Sequence, residues 1–191
     1  VQTWFTGDTP QAVANRGNVQ IRDTALGLTF IAFHEAVDPS VKRRMLTNLI
    51  QAAEGYQQTL QTLSQAHNYE DSAYSVLRLS TAIGLVLRDL ANSGLPQNEI
   101  DQAQSQLIGV LRSAYQSAAA GMENDPSWAH FRELTLARAD ALQPPGANAT
   151  MGTYLTWLRG IYGHLDASER AASRLGADEH YRNNVQTLIT A

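Results

Sequence analysis

From Val41 onward, apolar residues recur every three or four positions: Val41, Met45, Leu49, Ala52, Tyr56, Leu60 and Leu63. That spacing puts them on one face of a helix about 22 residues long and roughly 35 Å in length. Gln and Asn fill much of the opposite face. Asp38-Pro39 supplies the start, because Asp38 can accept from first-turn N–H groups and proline there loses no hydrogen bond. A second stripe follows over about 70–92, with Ala73, Val76, Leu77, Ser80, Ile83, Gly84, Leu87 and Leu90 inward and Leu79 and Val86 widening it. Between the two, His67-Asn68-Tyr69 reads as a turn, with Asn68 in the left-handed conformation that ends a helix. Ser93-Gly94-Leu95-Pro96 is a stop-and-restart signal. It precedes a third stripe of Ile100, Ala103, Leu107, Val110, Leu111, Ala114 and Ala118, closed by Gly121.

The flanks are less regular. In 20–36, Ile21, Ala25 and Leu28 share one helical face while Leu26, Phe30 and Phe33 share another, the pattern of a helix buried on most sides. Leu28–Phe33 also fits a buried strand, but no partner strand is evident, which favours helix. Residues 1–19 read as an arm anchored by Trp4 and Phe5, in which Thr9-Pro10 can open a short helix. Asp125-Pro126 repeats the earlier start signal ahead of Trp128, Phe131, Leu134 and Ala141-Leu142. Pro144-Pro145-Gly146 breaks the chain. A helix carrying Met151, Tyr154, Leu155, Leu158 and Ile161 follows, interrupted near Gly163, with a restart at Asp166 and Glu169 in capping-box spacing. Gly176 stops that helix, and 178–189 makes a last one. These elements predict an all-α fold: an antiparallel up-and-down helical bundle with additional shorter C-terminal helices, in a single domain over 1–191.

Composition narrows the function. Charged residues make up 17% of the chain, below the typical ~25%, and the net charge of −4 argues against nucleic acid as a partner. The only basic run is Lys42-Arg43-Arg44, shorter than a lipid-binding cluster of about 4–8 residues. Lys42 is the single lysine and sits in no Gly-rich loop, and cysteine is absent. Thiolate catalysis, disulfides and Cys-type zinc sites are therefore excluded. The longest apolar run, residues 25–33, is about half the ~20 residues a membrane span needs. The chain opens on Val1 without an initiator methionine, as in a processed or trimmed form. With low charge and no cysteine, this leans toward an exported bacterial protein, secreted or periplasmic.

Candidate chemistry is sparse. His34-Glu35 is the first pair to consider, since a histidine beside a carboxylate can act as a base. Adjacent helical residues, however, point about 100° apart. A metal site from His34 and Asp38 would compete with the capping role of Asp38. No Glu-x-x-His occurs at Glu35, Glu54 or Glu70, so a two-metal carboxylate site is not expected, and no cofactor is implied. Aromatics concentrate in the last third. Packing is the plain account of them. The sharper one is a pocket lined by Trp128, Tyr154 and Trp157 with Arg132, Arg159 or His164 as polar contacts. The leading expectation is a non-enzymatic helical binding protein with a protein partner or a homo-oligomeric state. The alternatives are a ligand binder using that aromatic pocket and an enzyme built around His34, Glu35 and Arg22.

Overall fold

Two pairs of cross-helix contacts set the architecture. Asp23 pairs with Arg78 at 2.7 Å, and His34 with Asp89 at 2.5 Å. Both contacts join positions 55 residues apart, so the first and third helices run parallel and in constant register. Arg43–Glu99 and Gln57–Ser113 are likewise each separated by 56, which sets the second and fourth helices parallel. The computed structural model describes residues 10–174. In it α1 is Pro10–Glu35, α2 Pro39–Gln65, α3 Tyr69–Leu90, α4 Gln97–Gly121, α5 Ala129–Ala141 and α6 Met151–Arg174, with a 3-10 turn at Pro126–Trp128. Successive helices reverse direction, and no strand occurs among the described residues. The predicted all-α class is what the described residues form, six helices packed against one another, but the C-terminal helices are not all short: α6 has 24 residues against 22 in α3. α2 and α3 occupy the middle. α1 packs on them from one side and α4 from the other, α5 lies on α4, and α6 lies on α5.

The start and stop signals at Asp38, Gly94 and Asp125 act as the sequence predicts, and the α2–α3 turn does not. Asp38 accepts from Ser40 N and Val41 N, and Asp125 accepts from Ser127 N. These bonds hold both carboxyls below the usual Asp range, with the Ser40 and Ser127 side chains contributing most. Gly94 takes a φ of 72°, as a stop before Pro96 requires. In the α2–α3 turn His67, not Asn68, is left-handed, with a φ of 55°. His67 N donates to Ser64 O and Asn68 N to Leu63 O, the paired bonds of a Schellman termination. Asn68 is needed one step later, where its side chain accepts from Asp71 N and caps α3.

Several core assignments shift. α2 buries Leu46, Leu49, Ala53, Tyr56, Leu60 and Leu63, a face rotated slightly from the predicted one. α3 buries Leu79 and Val86, while Leu77 is 40% exposed, because its partners lie on the side that Val76, Ile83 and Leu90 face. α1 is a helix, as expected, but it is not buried on most sides. Among its described side chains Val19, Leu26 and Phe33, at intervals of seven, are the buried apolar ones, while Ile21, Leu28 and Ile31 are exposed. An edge helix has neighbours for one face only. α1 also begins at Pro10, so 10–19 belongs to it rather than to an arm. α6 passes through Gly163 without a break. A mid-helix glycine costs about 1 kcal/mol, and that is offset where His164 and Ser168 bond to α5. Trp4, Phe5, Gly176 and the helix expected at 178–189 lie outside the described residues.

Buried tyrosine and serine groups punctuate the core. Burial pushes the Tyr56 phenol well above its usual range, so it stays neutral. At one end, α4 approaches the backbone of α2 closely: a Cβ on Gly121 would stand 2.9 Å from Ser64 Cα, Cβ and O. Overpacking of this kind costs about 1–3 kcal/mol. Gly121→Ala is thus expected to lower stability by that order in urea unfolding. Gly109→Ala, whose Cβ meets nothing within 4 Å, is expected to raise stability by about 0.5–1 kcal/mol through the better helix propensity of alanine. Equal effects from the two variants would refute this account.

Candidate functional site

The pair His34 and Glu35 ends α1 on the surface. His34 Nδ1 meets Asp89 Oδ2 at 2.5 Å, and the histidine side chain is 58% exposed. A carboxylate on Nδ1 orients an imidazole for base catalysis, but no hydroxyl or other group bonds Nε2 among the described residues. Asp38 is occupied with its cap, and Glu35 is exposed with no bonded partner among the described residues. Arg22, further along α1, bonds Thr59 on α2. What His34 and Asp89 do here is tie α1 to α3.

The aromatic and polar candidates of the last third divide into three places. Tyr154, Trp157, His164 and Arg132 gather on the seam between α5 and α6. Tyr154 OH donates to Pro145 O at 3.0 Å, and Trp157 Nε1 donates to Asp140 O at 2.8 Å. His164 Nδ1 meets Glu133 at 2.7 Å, and Arg132 also pairs with Glu133. Their polar atoms are spent on backbone carbonyls and on each other, so the seam is a clasp between two helices. Trp128 lies elsewhere, packed with Tyr69 at 6.0 Å and edge-on to Phe131 at 6.1 Å. It fastens the α4–α5 connection to the α2–α3 turn. Arg159 is exposed on α6 and belongs to neither group. Among the described residues no group of three His, Asp or Glu side chains could hold a metal ion, and no helix is long and apolar enough to cross a membrane.

Sequence reasoning missed two surfaces. The first is the outer face of α6, where Met151 (75%), Leu155 (44%), Leu158 (40%) and Tyr162 (68%) are exposed. Their spacing of four, three and four makes one stripe beside the face that packs on α5. Within residues 151–165 the only formal charge is Arg159. The signal in the sequence is an apolar arc wider than one neighbour can cover, which by periodicity alone is indistinguishable from a core face. The second surface is an open groove of about 500 Å³ between α3 and α5, floored by α4. Leu77, Gly84 and Leu87 form one wall, Leu111 the floor, and Arg138 with Leu142 the other wall. Tyr115 OH donates to Ser80 Oγ at 2.7 Å, and the Arg138 guanidinium lies 5.9 Å from the Tyr115 ring centre. No described carboxylate pairs with Arg138.

Comparisons with protein-family models, with curated proteins and with solved structures find no match to this chain.

One titration follows from the packing. His130 is 8% exposed, and its carbonyl accepts from Ser168 Oγ of α6. Burial lowers the pKa of its imidazole below 6.5. A base with a depressed folded pKa binds its proton more readily in the unfolded chain. Stability therefore rises with pH across the window from the folded value up to about 6.5, and falls on acidification through it. The melting temperature of the wild type is expected to drop more steeply below pH 6.5 than that of His130→Phe. Parallel pH profiles would contradict this role for His130.

Proposed function

We propose that the protein is a non-enzymatic helical interaction protein that docks a protein partner on the outer face of α6. The observation that carries this reading is the stripe of Met151, Leu155, Leu158 and Tyr162 exposed on a helix whose adjacent face is already clasped to α5. Scattered exposed apolar residues are ordinary on a protein surface, whereas a contiguous apolar patch marks a site of contact. Covering apolar surface contributes about 25 cal/mol per Å², and Arg159 is the single formal charge beside the stripe within residues 151–165. Helix-in-groove recognition reads such anchors at intervals of three and four. The clasped seam beneath fixes α6 as a rigid rail, which lowers the ordering cost of binding.

A photo-crosslinking residue at Leu158, in the full chain expressed in its own host, is expected to form adducts with protein. The same residue at Thr156, exposed on the far side of the helix, is expected to form none. Adding Leu155→Asp should abolish the Leu158 adducts without lowering the unfolding free energy by more than about 1 kcal/mol. Adducts equally at both positions, or at neither, would refute the reading.

A further inference from the structure

We propose that the stripe on α6 seats in the α3–α4–α5 groove of a second copy of this chain, and that the contact is made twice about a two-fold axis. This pairing rests on the interaction reading above and names its partner. The chain carries both halves of a helix-in-groove contact. Met151 to Tyr162 spans about 16 Å, and the groove wall from Leu77 to Leu87 spans about 15 Å. Gly84 lies at the centre of that wall, and a Cβ there would meet nothing within 4 Å, leaving space opposite a leucine side chain.

Charge orients the seated helix. The Tyr115–Ser80 bond places Arg138 at the end of the groove nearest Leu77. The nearest acid beyond the stripe is Asp166, one turn past Tyr162, where it is exposed and held only by Arg170 at 2.5 Å within the same helix. Set antiparallel to α3 with Leu158 over Gly84, the incoming α6 brings Tyr162 opposite Ser80 and Leu155 opposite Leu87. Asp166 then falls at the Arg138 end. The guanidinium, 5.9 Å from the Tyr115 ring centre and without a described carboxylate of its own, gains one from the second copy. A stable pair buries about 1,600 Å² in total, more than one three-turn helix in one groove supplies. A two-fold axis repeats the contact and makes the surface self-complementary.

Sedimentation velocity of the full chain over a wide concentration range tests this. The mass is expected to move from 20.9 kDa toward twice that value. Gly84→Glu and Leu158→Glu should each weaken the pairing by about thirty-fold or more, the effect of losing a central anchor, while circular dichroism shows an unchanged fold. Arg138→Asp and Asp166→Arg should each weaken it about ten-fold, and their combination should restore it. The proposal is overturned by a constant mass of 20.9 kDa, by self-association indifferent to Gly84→Glu and Leu158→Glu, or by failure of the charge swap to rescue. A monomer whose Leu158 crosslinks capture another protein would overturn the pairing and leave the interaction reading standing. Crosslinks from Leu158 into residues 175–191 of the same monomer would overturn both.

Discussion

The fold turns on the contact of Gly121 with Ser64. There α4 comes close enough to α2 that even a methyl group has no room, and this approach fixes where α4 lies. α5 packs on α4 and α6 on α5, so the position of the outer pair is inherited from that crossing. The same end of the bundle holds the left-handed His67, the Asn68 cap and the Tyr69–Trp128 ring contact. Two reversals of the chain are thus fastened to each other beside the tightest backbone approach.

A layered order explains what is left uncovered. α2 and α3 have neighbours on several sides and bury broad faces, Tyr56 and Ile83 among them. α1 and α6 stand at opposite ends and each has partners on one side. Their apolar patterns are wider than those partners can cover, which leaves Ile21, Leu28 and Ile31 at one end and Met151, Leu155, Leu158 and Tyr162 at the other. A terminal helix in a stacked array ordinarily presents a polar outer face. Both ends of this one carry exposed apolar residues among the polar ones.

Several side-chain bonds of the described residues run between helices. His34 spends its Nδ1 on Asp89, His164 on Glu133, and the indole of Trp157 on a carbonyl. Each bond joins one helix to another. Two cations lie over a ring with no described carboxylate, Lys42 over Phe33 and Arg138 over Tyr115, and Arg138 faces the groove.

Local chemistry determined the elements. Asp38-Pro39, Asp125-Pro126 and Gly94-Leu95-Pro96 act through groups within a few residues of themselves, so the starts and stops they encode were legible from the chain alone. So was the all-helical class, because the three central stripes repeat at helical spacing. Tertiary structure decided which faces are covered. Periodicity shows that Leu77, Leu158 and Leu28 lie on apolar arcs, but burial depends on whether another helix stands opposite, and that is a property of the packing order. It also decided that Gly163 lies inside a helix, since the bonds of His164 and Ser168 to α5 outweigh a local breaker. The candidate site was hidden for the same reason: an exposed apolar stripe and a core stripe are one pattern in sequence, and only their neighbours tell them apart.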